Sequence, residues 1–235
     1  MKNTQAEIIV ALDVPATADA ERLMALLGES ITFYKIGLEL FTAEGPGIVR
    51  AIKAQGRRVF LDLKLHDIPR TVERAVKSAA ALGVDLLTLH ASGGKAMLRA
   101  AADAAAEFGE TRPRLLAVTA LTSLDQSDLA DLGVARPMPC HVEALGTLAL
   151  SQGIDGIVCS PQEVANMRKI LGPAALLVTP GIRPAGGETG DQKRVATPGQ
   201  AVRDGATHLV VGRPICEAPD PRAAALAITR EMAAG

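Results

Sequence analysis

Short runs rich in valine, isoleucine and leucine recur along this chain at near-even spacing, each followed by a segment with the apolar period of a helix. The runs are Ile8 to Asp13, Thr32 to Gly37, Arg58 to Leu65, Leu86 to Ala91, Leu115 to Leu121, Gly156 to Ser160, Leu176 to Pro180 and His208 to Arg213. Apolar runs of this length, bounded by helical segments, read as strands buried on both faces. Eight of them in 235 residues leave about 29 residues per unit, the size of one strand-helix-strand building block. Helical stretches between successive strands make the strands parallel, and eight parallel strands predict a closed (β/α)8 barrel, an α/β fold of the TIM-barrel type. A doubly wound sheet would stop at fewer strands and carry a glycine-rich first turn, whereas no GxGxxG follows Asp13. No linker or charge run divides the chain, so residues 1–235 are expected to form one barrel domain.

Composition narrows the function. A formal net charge of -1 gives no global attraction to nucleic acid or to an anionic membrane, so a phosphate would have to be held by a few placed groups. Aromatic residues make up 2% of the chain and tryptophan is absent, which removes the stacking platforms of single-strand binders. Cys140, Cys159 and Cys216 form no CxxC or Cys/His cluster, as expected of free thiols in a reducing compartment without structural zinc. The opening MKNTQAEIIVALDV lacks the length and cleavage pattern of a secretory signal, and no apolar run approaches a membrane span. The expectation is a cytoplasmic metabolic protein that acts on a small molecule, with no nucleic-acid or membrane partner.

Most of the strands end in polar residues or glycine: Asp13, Lys35 with Gly37, Asp62 with Lys64, His90, Thr122, Ser160, and Gly212 with Arg213. In a (β/α)8 barrel the C-terminal strand ends form the active face. The richest is the third, in RVFLDLKLHDIPRTV, where strand alternation puts Phe60, Asp62, Lys64 and His66 on one face. If that face points inward, Asp62 and Lys64 compensate each other's charge in a site where either alone would be costly. A structural ion pair would leave the same trace. Asp67 stands where the next helix begins, and Asp as N-cap with Pro69 in the first turn is a common helix start. His66, His90, His141 and His208 show no paired ligand spacing, so structural roles are expected of them and no metal or other cofactor is implied.

The whole pattern D-x-K-x-x-D-I-x-x-T, formed by Asp62, Lys64, Asp67, Ile68 and Thr71, resembles the signature of the orotidine 5′-phosphate decarboxylases. The resemblance extends along the chain through Asp13, Lys35 in YKIG, Thr122 in ALTS, Arg183 in TPGIR, Gln192 in GDQKR, and Gly212 with Arg213 in VVGRP. It implies an alternating array of Lys35, Asp62, Lys64 and Asp67 in which Lys64 protonates the pyrimidine carbon that loses carbon dioxide. It further implies ribose contacts from Asp13 and Lys35, a pyrimidine contact from Thr122, and phosphate contacts from Arg183, Gly212 and Arg213. The segment PGIRPAGGETGDQKR is long enough for a lid, and the resemblance implies that Gln192 there bridges phosphate and pyrimidine. The partner implied is a second copy of the chain, a homodimer in which Asp67, Ile68 and Thr71 enter the other subunit's pocket. Sister barrels with the same DxKxxD core, similar to 3-keto-L-gulonate 6-phosphate decarboxylase and hexulose-phosphate synthase, need magnesium. Lys35, the Ile68-x-x-Thr71 extension and Gln192 favour the nucleotide enzyme over them. A non-catalytic phosphate binder on the same barrel has no use for two buried lysines beside two aspartates.

Overall fold

The computed structural model describes residues 6–184 and 195–234, so Gln192 and most of the expected lid lie outside the described residues. Eight strands close a barrel in sequence order: β1 (Glu7–Ala11), β2 (Phe33–Ile36), β3 (Arg58–Leu65), β4 (Leu86–His90), β5 (Arg114–Val118), β6 (Gly156–Val158), β7 (Leu176–Thr179) and β8 (His208–Val211). All neighbouring pairs are parallel, and β8 returns to β1 through Glu7↔His208 to Val10↔Val211. All eight expected runs are strands, most of them shorter by a residue or two because their polar ends belong to the loops. Two connections hold more than the single expected helix. Leu38–Glu44 is separated from Gly47–Ala54 by Gly45 at φ 66° and Pro46, and Gln126–Asp131 precedes Met138–Ser151 between β5 and β6.

Alternation sorts the strand residues into two cores. Ile9, Ala11, Phe33, Phe60, Leu86, Leu116, Val178 and Val210 fill the barrel lumen, and their neighbours Val10, Tyr34, Val59, Leu61, Leu87, Leu115, Leu177 and Leu209 pack outward against the helices. β6 needs glycine where it pairs with β7: a Cβ on Gly156 would lie 2.1 Å from the carbonyl oxygen of its register partner Leu176. Going up the inner face, Phe33 gives way to Lys35, Phe60 to Asp62, and Leu86 to Thr88 and then His90. Apolar rungs therefore plug the middle of the lumen, with Arg58 and His208 against Phe33 at the N-terminal end and the lysine-aspartate side chains towards the C-terminal mouth.

A repeated latch ties the N-terminal end. The residue before each of three even-numbered strands accepts a hydrogen bond from the second amide of the preceding odd strand. Asp85 Oδ2 takes Val59 N at 2.8 Å, Asp155 Oδ2 takes Leu115 N at 2.8 Å, and Thr207 Oγ1 takes Leu177 N at 3.0 Å. Asp155, whose side chain is 6% exposed, also binds Arg112 through both oxygens at 2.8 and 2.6 Å and Arg114 Nε at 2.7 Å. Burial pushes the Asp155 carboxyl upward. The Arg112 and Leu115 hydrogen bonds and the Arg114 and Arg112 charges outweigh it and hold the group below its ordinary 3.8.

Removing the buried partner of two arginines should be costly, so Asp155→Ala is expected to lower stability by about 3 kcal/mol. That corresponds to a melting midpoint lower by on the order of 10 °C. A depressed carboxyl stabilises the fold above its unfolded pKa, and this contribution is lost as pH falls through the folded one. Thermal melts below about pH 4 should therefore cost the wild type more of its midpoint than the variant. Parallel loss in the two proteins would contradict the latch.

Candidate active site

The polar mouth is organised by an irregularity in β3. The ladder to β4 runs Phe60↔Leu86 and Leu61↔Leu87 and resumes only at Leu65↔Leu89, so four steps of β3 face two of β4. Lys64 absorbs the surplus at φ 50°, the single non-glycine residue among those described with a positive φ. Left-handed backbone at a lysine is strained and persists where its surroundings over-determine it. The alternation expected from sequence nevertheless carries through: Leu61, Leu63 and Leu65 pack on the outer core, while Phe60, Asp62 and Lys64 line the inner cavity. Lys64 thus lines the lumen side beside Asp62, and His66 beyond the strand is exposed.

The charges form a chain. Lys64 Nζ donates to Asp62 Oδ2 at 2.8 Å, Lys35 Nζ lies 4.0 Å from that same oxygen, and Lys35 Nζ donates to Asp13 Oδ1 at 2.8 Å. Side-chain exposure falls from 59% at Asp13 to 30% at Lys64, 14% at Asp62 and 11% at Lys35, so the middle of the chain is the dry part. Asp62 Oδ1 accepts from Thr88 Oγ1 at 2.9 Å. His66 and His90 rings lie 5.2 Å apart beside the array, and burial, then the His66 and Lys64 charges, hold His90 below its ordinary 6.5 against the pull of Asp62.

Two cavities meet at Lys35. One, of about 170 Å³, is lined by Asp62, Lys64 and Thr122 and by apolar side chains including Phe60, Val118, Val158 and Val210. The other, of about 350 Å³, is lined by Asp13, Gly181, Arg183, Gly212, Arg213 and Glu217. Burial, and secondarily the charge of Arg213, pull the Arg183 guanidinium down, so these two cations sit close enough to repel. A bridge between Ile182 and Ala196, with Arg183 N donating to Ala196 O at 3.0 Å, fixes the backbone that carries Arg183. An anion between the two guanidiniums would relieve their repulsion.

The structure thus brings together Asp13, Lys35, Asp62, Lys64, Thr122, Arg183, Gly212 and Arg213. Asp67, Ile68 and Thr71 line neither cavity and are exposed, Ile68 at 67%. The helix-cap reading of Asp67 is corrected: the helix is Pro69–Ala81 with Ile68 at the cap position, and among the described residues Asp67 Oδ1 accepts from the adjacent Ile68 amide at 2.7 Å. Sequence reasoning passed over Thr88, which a β-branched residue in a strand does not announce, and over Pro180, which lines both cavities. The three cysteines are free, and Cys216, pushed up to about 12 by burial and then by Asp13, donates to the Ala11 carbonyl oxygen and is inert at neutral pH.

A parallel (β/α)8 barrel with a compensated lysine-aspartate array at its C-terminal mouth, next to a two-arginine pocket, defines a class of barrels that handle anionic small molecules. Within that class, residues 6–228 match the orotidine 5′-phosphate decarboxylase / HUMPS family, and the chain belongs to it. It is 51% identical to the orotidine 5′-phosphate decarboxylase of Moorella thermoacetica over 231 residues, covering 96% of this chain and 92% of that protein. It is 55% identical to that of Anaeromyxobacter sp. strain K, covering 94% and 96%. Among solved structures, the orotidine 5′-phosphate decarboxylase of Lactobacillus acidophilus superposes with a TM-score of 0.87 at 39% identity, covering 97% of this chain and 99% of that one.

The array makes a specific demand on its surroundings. A Cβ on Gly37 would stand 2.9 Å from Lys35 Nζ and 3.4 Å from Asp13 Oδ1. Only a flexible side-chain end is in the way, so Gly37→Ala should fold with a melting midpoint within about 2 °C of wild type. Its crystal structure should show Lys35 displaced and the Lys35–Asp13 contact lengthened. An unmoved ammonium would show that the glycine is not needed.

Proposed function

We propose that this chain decarboxylates orotidine 5′-phosphate to uridine 5′-phosphate, with Lys64 as proton donor and without a metal or other cofactor. The observation that carries the reading is the Lys64–Asp62 contact of 2.8 Å at the edge of an apolar cavity that joins the arginine pocket at Lys35. The nucleotide would lie across both cavities, its phosphate between Arg183 and Arg213 beside the Gly212 backbone. Its ribose hydroxyls would face Asp13 and Lys35, and its pyrimidine would face Thr122. The bond from C6 to the carboxylate breaks, carbon dioxide leaves, and the electron pair stays on C6 in the ring plane, where the ring π system cannot accept it. The Lys64 ammonium stabilises that carbanion and transfers a proton to C6, leaving a neutral amine that regains its proton from solvent. Asp62 holds the ammonium in place and crowds the departing carboxylate. Asp13 and Asp62 are each engaged by an ammonium, which leaves no carboxylate pair for a divalent cation, as the sister sugar-phosphate barrels would require. Among the described residues no helix is long and apolar enough to cross a membrane. A free nucleotide substrate and free thiols suit one barrel domain, residues 1–235, working in the cytoplasm.

With orotidine monophosphate as substrate, Lys64→Ala should lose roughly 10³-fold or more in turnover while its melting midpoint stays at or above wild type. Wild-type activity should survive exhaustive chelation. Restoration by magnesium after chelation would favour the sugar-phosphate branch, and turnover by a contaminant-free Lys64→Ala protein would remove the lysine from the mechanism.

The same reading includes a two-fold dimer that shares its sites. Leu38, which opens the helix after β2, and Ile68 and Leu121, on the loops after β3 and β5, are 55%, 67% and 37% exposed at the rim of the mouth. Among the described residues Asp67 has no salt bridge. An apolar rim around an unpaired carboxylate suits an isologous contact that delivers Asp67, Ile68 and Thr71 to the facing pocket. Lys64→Ala and Asp67→Ala proteins, each nearly inactive, should then complement on subunit exchange. Random pairing makes about half the dimers mixed with one intact site each, and activity should reach roughly a quarter of wild type. Mixed dimers, demonstrated with differently tagged chains, that stay inactive would confine Asp67 to its own subunit.

A further inference from the structure

Directly behind the Asp62–Lys64 pair stands a side chain that touches neither cavity. Thr88 is the middle inward residue of β4, one rung above Leu86 of the luminal core, and is completely buried. Its hydroxyl serves both members of the pair: it accepts the Lys64 backbone amide at 2.9 Å and donates to Asp62 Oδ1 at 2.9 Å. Both bonds answer the bulge. Between Leu61↔Leu87 and Leu65↔Leu89 the regular ladder is interrupted, and the Thr88 side chain supplies the acceptor that binds the Lys64 amide there. The same oxygen turns the Asp62 carboxylate so that Oδ2 meets Lys64 Nζ at 2.8 Å and faces Lys35 Nζ at 4.0 Å.

We propose that Thr88 is a positioning residue for the decarboxylation, one hydroxyl that fixes the lysine backbone at φ 50° and the aspartate carboxylate at once. The inference rests on Lys64 being the proton donor. Thr88 acts through Lys64 and Asp62 and makes no substrate contact, so its loss should fall on the chemical step. The phosphate end, held by Arg183 and Arg213 on the far side of the barrel mouth, is unaffected by it.

The test compares Thr88→Val, which keeps the branched shape and removes donor and acceptor, with Thr88→Ser, which keeps both. Steady-state kinetics with orotidine monophosphate should show kcat falling roughly 10- to 100-fold in Thr88→Val, the scale of a misplacement of about 1 Å. KM should move less than about threefold, and Thr88→Ser should recover kcat to within about threefold of wild type. Circular dichroism melts establish that the variants fold, and Thr88→Ala is read in the same way should the valine variant not. An unchanged kcat in the folded variant overturns the proposal. So does a loss shared by Thr88→Ser, since packing and not the hydroxyl would then be at stake. Lys64→Ala runs alongside as the control: activity there refutes the proton-donor assignment itself, independently of what Thr88 does.

Discussion

Two ammonium groups and two carboxylates strung together by contacts of 2.8, 4.0 and 2.8 Å can occupy the mouth of an apolar lumen because each charge faces an opposite one. Lys35 or Asp62 alone, at 11% and 14% exposed, would carry a large desolvation cost. Mutual compensation is thus the condition for placing a lysine beside a site that excludes water. It also depends on register: Ala11↔Lys35 and Lys35↔Phe60 put Asp13 and Asp62 each two residues beyond the partners of Lys35, so the long lysine side chain reaches up to both carboxylates.

Holding the array has structural consequences away from it. β3 accepts a bulge and a left-handed lysine, Gly37 stays without a side chain so that Lys35 can lie across it, and Thr88 gives up both hydrogen-bonding capacities to the pair behind it. None of these adjustments adds to packing. They are offset at the opposite end, where Asp85, Asp155 and Thr207 fasten successive strand pairs and the luminal rungs of Phe33, Phe60 and Leu86 fill the barrel. The molecule is divided into a half that stabilises and a half that positions, as (β/α)8 barrels in general are.

How far the sequence foretold this depends on the range of the interaction. Strand runs and helical periods are local, and all eight strands could be read from them, as could the inward pointing of Phe60 and Asp62. The break between Leu38–Glu44 and Gly47–Ala54 lay in plain view as Gly45-Pro46, yet one helix per connection was the simpler expectation. Alternation places Lys64 in the pocket beside Asp62, whereas the bulge and the left-handed backbone there were hidden, since no residue pattern in LDLKL marks them. Thr88 was illegible because its role exists only once the β3–β4 register is known. For Asp67 the sequence offered a helix cap beside a place in the array, because Asp followed by Pro69 fits a cap motif equally well, and it is Ile68 that stands at the cap position.

The division of charge between the cavities explains why both are needed. The array is neutral as it stands, so it offers a substrate carboxylate no net attraction, and Asp62 opposes its approach. The arginine pocket is the reverse: two guanidiniums close enough for one to depress the other favour the arrival of a dianion. In the proposed reading, attraction at the phosphate end outweighs repulsion at the reacting end. As the substrate carboxylate becomes neutral carbon dioxide, its negative charge passes to C6, away from Asp62 and beside Lys64, so the repulsion disappears as the attraction grows. A rigid Asp62–Lys64 unit makes that exchange effective, because a carboxylate free to swing away would relieve the strain before the bond breaks. Arg183, on backbone tied to Ala196, and Asp62, tied to Thr88, are the two fixed points between which the substrate would be held.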